Sequence, residues 1–179
     1  MTGSDERADR SAWFEALIAD LHRRYLAVDD GAPAAYIPEL ATVEPDQFAI
    51  SAMTVDGEQI GAGDTDHEFT IQSISKLLLY GLAIETHGRD GVLDRVGVAP
   101  TGAAFNAINL ETDPPRAPNP MVNAGAIAIT DMVPGDTIDE RVEVVRELFA
   151  RYLGRRPTID ASVWASERAT GHHLSLIHI

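Results

Sequence analysis

Between Phe48 and His87 the chain changes its hydrophobic period from strand-like to helical, and that switch limits what it can fold into. Phe48–Val55 and Glu58–Gly63 are strand-like stretches divided by Asp56-Gly57, a pair that accepts the positive φ angles of a tight hairpin turn. Two antiparallel strands joined by a two-residue turn are expected. After a loop at Asp64–Glu68, apolar Leu77, Leu78, Ala83 and Ile84 follow helical spacing from Ser73 to His87 and stop at Gly88, a residue suited to ending a helix. Sheet and helix therefore share one chain, a mixed α/β (α+β) class with an antiparallel sheet and helices.

The remaining elements are mostly helical. Trp13, Phe14, Leu17, Ile18, Leu21, Tyr25 and Leu26 recur at three- and four-residue spacing, which predicts an amphipathic helix over 11–27 capped by Ser11. Residues 1–10 are polar and aperiodic and read as a disordered leader. The Pro-rich stretch Asp29–Pro45 reads as irregular, with a short turn at Ile37–Leu40. Gly91–Gly97 is a short turn-and-helix piece, and Pro100–Pro120 is a long loop broken by Asp113-Pro-Pro-Arg and Pro118-Asn-Pro; loops of that length often carry function. Met121–Met132 holds the small-residue run Asn123-Ala-Gly-Ala-Ile-Ala, suited to close helix packing. Thr137–Leu153 is a helix with Val142, Val145, Leu148, Phe149 and Tyr152 on its apolar side, and Val163–Arg168 a short one.

Charge narrows the function. A net charge of −14 and a pI of 4.6 set the chain against nucleic acid or an anionic membrane surface. No stretch is long and apolar enough to span a bilayer, and the N-terminus lacks the order of a signal peptide. Without cysteine there is neither a disulfide framework nor a thiolate nucleophile. A cytoplasmic protein whose partner is a small substrate or another protein is expected. The histidines His67, His87, His172 and His173 lack metal-ligand spacing, and Glu140, Glu143 and Glu147 with Arg141, Arg146 and Arg151 read as an ordinary charged helix face.

Of the fourteen basic residues thirteen are arginine, and the single lysine is Lys76, three residues after Ser73 in Phe69-Thr-Ile-Gln-Ser-Ile-Ser-Lys76. Arginine stays protonated in proteins, whereas a desolvated lysine can lose its proton and act as a base. Positions three apart on a helix share a face, so Ser73 Oγ and Lys76 Nζ are expected within hydrogen-bonding reach, as nucleophile and base for acyl-enzyme chemistry. The helix N-terminus would supply N–H groups to an oxyanion. Ser-x-x-Lys also arises by chance, with the serine merely a cap. Ser75 is a rival nucleophile that points elsewhere on the helix.

The blocks Tyr36-Ile-Pro-Glu-Leu, Thr54-Val-Asp-Gly, Gly63-Asp, Phe69 to Lys76, Val96-Gly, Asn119-Pro-Met-Val-Asn-Ala-Gly-Ala-Ile127 and Ser166-Glu-Arg-Ala-Thr-Gly171 together resemble the serine-dependent glutaminase family. The resemblance covers about residues 34–172. It implies hydrolysis of the side-chain amide of L-glutamine to L-glutamate and ammonia, on a fold like that of the serine β-lactamases and transpeptidases. It implies no metal or organic cofactor, and a homo-oligomer at family length. Ser73 matches the family's nucleophile and Lys76 its base; Asn123 and Glu167 match residues that hold the substrate, and Tyr36 and Gln72 further groups lining the pocket. On residue chemistry alone, Glu167 reads as a solvated helix charge, Asn123 as a cap and Tyr36 as a half-buried packing residue.

Two departures from the family pattern stand out. Ala99 replaces an acidic residue, and Leu174 stands where the family has an asparagine. One reverse translation of Leu174–Ile179 coincides with an adapter used in preparing sequencing libraries, so residues 174–179 are expected to be a non-native tail on the N-terminal portion, 11–173, of a glutaminase domain. A fragment of that kind is expected to be inactive alone. The competing readings are a penicillin-recognising serine hydrolase or transpeptidase, which shares Ser-x-x-Lys but not the other blocks, and a non-catalytic interaction module.

Overall fold

The computed structural model describes residues 3–107 and 109–170. His172, His173 and the expected tail at Leu174–Ile179 lie outside the described residues. The chain divides into two compact units, Met1–Phe69 and Thr70–Ile179.

In the first unit, helix α1 spans Gly3–Tyr25, so residues 3–10 are helical and not a leader. Good helix formers such as Glu6, Arg7, Ala8 and Arg10 favour this without any apolar periodicity. Ser11 is consequently no cap; its hydroxyl donates to the Glu58 carboxylate. Ile18 is the buried residue of α1, with Phe14, Leu17 and Leu21 half-buried beside it and Trp13, Tyr25 and Leu26 exposed. This face packs on strands β1 (Ala49–Met53) and β2 (Gln59–Gly63), where the His22 ring stacks on Phe48 at 5.1 Å. The strands pair antiparallel, Ala49 opposite Gly63 through Met53 opposite Gln59. Their connection is longer than expected: Thr54 N donates to the Glu58 carbonyl at 2.9 Å and Glu58 N to Thr54 Oγ1 at 3.1 Å, enclosing Val55, Asp56 and Gly57. Gly57 alone in this turn takes a positive φ, 85°, which suits a three-residue loop with a bulge. The short helix α2 (Pro38–Ala41) sits where a turn was expected.

The second unit is helical. A 3-10 turn at Gln72–Ile74 leads into α3 (Ser75–Leu93), followed by α4 (Asn123–Asp131), α5 (Ile138–Leu153) and α6 (Ala161–Thr170). Helix α3 packs against α4 and α5 around a core of Leu79, Leu82, Ala83, Val92, Ile129, Val145, Leu148 and Phe149. Gly88, expected to end α3, instead kinks it with φ 72°; burial of Val92 and Val96 holds the following turn on the same core. Helix α5 opens with a capping box: Thr137 Oγ1 accepts from Glu140 N at 3.2 Å and Glu140 Oε2 accepts from Thr137 N at 3.2 Å. It closes on Gly154 in the left-handed region. Its outer face is less plain than its charges suggest, since Arg141 donates to the Gly135 carbonyl and Arg146 to the Pro157 carbonyl.

Two substitutions separate packing from capping. Leu148→Ala removes a fully buried side chain and is expected to cost about 2–5 kcal/mol. Thr137→Ala, which removes only the cap, is expected to cost about 1 kcal/mol. Urea unfolding followed by circular dichroism checks both the magnitudes and their order.

Candidate functional site

Backbone geometry divides the two serines of the motif. Gln72 takes φ 44°, the non-glycine residue with positive φ among those described, a conformation that costs on the order of 1–3 kcal/mol and persists only where its surroundings impose it. Ser75 supplies part of that restraint: its hydroxyl donates to the Gln72 carbonyl at 2.7 Å and its N–H reaches the Gln72 and Ser73 carbonyls. Ser75 is buried with its hydroxyl engaged, whereas Ser73 is exposed at the mouth of α3.

Lys76, the second residue of α3, is only 5% exposed. Its Nζ donates to Asn123 Oδ1 at 2.8 Å and to the Met121 carbonyl at 3.2 Å, and it lies 5.9 Å from the centre of the Phe105 ring. Acceptors and aromatic face favour the charged amine; burial favours the neutral one. Burial prevails, and it pushes the lysine down from its ordinary value of 10.5. The expected bond from Ser73 Oγ to Nζ is not present among the described residues. Ser73 lies in the 3-10 turn that precedes α3, and the Lys76 amine is engaged by Asn123 and Met121 instead.

Asn123 is not a cap. Val122 occupies the cap position with extended backbone, and Asn123 begins α4 with its N–H bonded to the Phe105 carbonyl at 2.9 Å. Its side chain is thereby free of the helix end and meets Lys76. Glu167 on α6 is 8% exposed, a buried carboxylate and not the solvated charge its sequence context suggests; such groups are almost never buried without partners. Tyr36 belongs to the first unit and is 52% exposed. Gln72 is half-buried, with its side-chain N–H on Thr70 Oγ1 at 3.3 Å.

Three contributors escaped sequence reasoning. The Met121 carbonyl is a main-chain group with no side-chain signal. Phe105 was one aromatic in a loop rich in Pro, Gly and Ala. Gly125 was read only as a small helix residue, yet a Cβ there would lie 1.9 Å from the Asn119 carbonyl oxygen, so α4 reaches the 119–123 turn only with glycine at this place. The open depressions of about 590 and 370 Å3, lined by residues such as Arg7 and Glu58 or Asp64 and His67, belong to the first unit. Among the described residues there is no His, Asp and Glu group arranged to hold a metal ion, and no helix long and apolar enough to cross a membrane.

Comparison with known proteins points one way. The family model described as Glutaminase matches residues 31–178. A glutaminase from Nostoc sp. (strain PCC 7120) is 56% identical over 156 residues, 87% of this chain and 47% of the relative's length. Among solved structures, the probable glutaminase ybaS superposes with a TM-score of 0.83 at 31% identity, over 89% of this chain and 52% of that one. The glutamate form of the protein Mglu gives 0.82 at 36% identity, over 89% and 37%. The chain thus spans about half the length of the curated relatives it matches.

Two outcomes follow from this geometry. Alanine favours helix over glycine by about 1 kcal/mol, yet Gly125→Ala is expected to lower the thermal midpoint, because the added methyl meets main chain. A raised midpoint would contradict the close approach. Between the depressed folded midpoint of Lys76 and about 10.4, the unfolded chain binds more protons than the folded one, so stability should rise with pH across that window. Lys76→Met should flatten the rise; urea midpoints at stepped pH for the two proteins test it, and parallel curves would refute it.

Proposed function

The chain belongs to the glutaminase family, and from that premise we propose that it carries the nucleophile and base of an enzyme that hydrolyses L-glutamine to L-glutamate and ammonia. The observation that carries the reading is the burial of the chain's one lysine at the start of α3, three residues beyond an exposed serine. Burial lowers the lysine's proton affinity, which a base near neutral pH requires.

In the proposed reaction Ser73 Oγ attacks the side-chain carbonyl carbon of glutamine while Lys76 Nζ takes the hydroxyl proton. The C–O bond forms and the carbonyl π pair moves to oxygen, where N–H groups at the mouth of α3 stabilise it. Collapse expels ammonia, which leaves with the proton held by Lys76. Water, deprotonated by the same amine, then cleaves the acyl-enzyme to glutamate and restores Ser73. These steps use only this chain's own groups and water.

Substrate recognition is proposed for Asn123, Glu167, Gln72 and Tyr36. Asn123 turns its Oδ1 to Nζ and so keeps its Nδ2–H groups for a substrate oxygen. The Glu167 carboxylate suits the α-ammonium of the amino acid. Tyr36 and Gln72 remain assignments by resemblance, as hydrogen-bonding groups of the pocket. The turnover is proposed for a protein of family length, acting as a cytoplasmic homo-oligomer, and the 179-residue chain is expected to be inactive alone.

Ammonia release from L-glutamine by the family-length protein tests the reading. Ser73→Ala and Lys76→Arg are each expected to lower kcat by roughly 10^4-fold or more, the second because arginine keeps the charge but does not deprotonate. Retained turnover in Lys76→Arg would remove Lys76 from the role of base.

A further inference from the structure

The turn that receives Lys76 is fastened by a residue outside the assigned set. Asn119 Oδ1 accepts from Met121 N at 3.0 Å and from Val122 N at 3.1 Å, and its Nδ2 donates to the Ala99 carbonyl at 3.0 Å. Pro118 and Pro120 flank it and offer no N–H, so the Asn119 Nδ2 supplies a donor that these neighbours lack. The Asn119 carbonyl is also the group that Gly125 must clear. One residue therefore ties together the 96–99 segment, the 119–123 turn and the start of α4. We propose that Asn119 is a positioning residue for Lys76: its carboxamide fixes the turn and so holds the Met121 carbonyl and the Asn123 carboxamide on Nζ.

The chemistry follows from counting donors. A neutral amine has two N–H groups and one lone pair. With both acceptors fixed, the N–H groups are engaged and the lone pair is the direction left for an incoming proton. Loosening the turn releases both acceptors and lets water reach Nζ. The substitution of alanine for an acidic residue at 99 does not disturb this bracket, because both bonds there use main chain: Ala99 N donates to the Pro118 carbonyl at 2.9 Å, and the Ala99 carbonyl accepts from Asn119.

This inference rests on the reading of Lys76 as the base, but its test needs no turnover. With one lysine in the chain, labelling with [13Cε]lysine gives one Cε resonance whose pH titration reports on Nζ. Asn119→Ala should raise the midpoint toward the ordinary 10.5. The expected rise is on the order of half a pH unit, about threefold in proton affinity. Asn119→Ser, whose hydroxyl can still accept from Met121 N or Val122 N, should fall between that value and the parent's. A variant of either kind that is folded by far-UV circular dichroism and keeps the parental midpoint overturns the proposal. Failure of both to fold also overturns it, since Asn119 would then be structural only. The ammonia assay and this titration can fail independently, so loss of one reading is distinguishable from loss of the other.

Discussion

One buried ammonium organises the second unit. Lys76 Nζ is placed where water is scarce, and a buried charge or amine without partners is costly, so the fold must bring acceptors to it. Both come from a segment 45 and 47 residues further along the chain. That segment contains two prolines and makes no regular ladder of its own. It is held by the Asn119 side chain, by Gly97 N on the Ala117 carbonyl and Ala99 N on the Pro118 carbonyl, and by the close approach of Gly125. The first turn of α3 and the first turn of α4 are thereby locked to one another through polar contacts at one end, while Leu79, Leu82 and Ile129 hold apolar surface below.

Opposed electrostatic effects at this amine explain why lysine is needed there. Two oxygen acceptors and the Phe105 ring favour the cation; burial opposes it and prevails. In the proposed role of base, a lysine of lowered proton affinity can give up its proton and take it back. Arginine, which serves every other basic position in the chain, stays charged under the same pressures. The same contacts set Asn123 as acceptor toward the lysine and donor elsewhere. In the substrate-holding role proposed for Asn123, an amide oriented in this way presents one polarity, where one free to flip would not.

Much of this was legible in the sequence, and the boundary between legible and hidden is physical. Hydrophobic period and turn chemistry located the hairpin, the start of α3, α5 and α6 to within a few residues, and the motif blocks carried the family. Helix α1 was misjudged at its start because helix-forming charged residues carry no apolar period. The hairpin loop was shortened because Asp-Gly suits both a two-residue turn and the end of a three-residue one, and the deciding bond, Glu58 N to Thr54 Oγ1, is a side-chain choice. Burial of Glu167 was hidden because one sequence cannot say which face of a short helix meets a neighbour. The support around Lys76 was hidden for a different reason: it uses main-chain carbonyls and the absence of a Cβ, which leave little trace in residue chemistry.

The strained residue before the serine completes the division of labour among Gln72, Ser73, Ser75 and Lys76. A left-handed Gln72 opens the 3-10 turn in which Ser73 lies, ahead of the α-helix. Without that step Ser73 would sit on the first turn of α3 with its hydroxyl available to cap local N–H groups, the ordinary fate of a serine at a helix start. Ser75 spends its own hydroxyl bracing the Gln72 carbonyl, so the rival serine acts as part of the restraint that leaves Ser73 exposed. The restraint accompanies an exposed hydroxyl at the mouth of a helix, close in sequence to an amine whose proton affinity burial lowers.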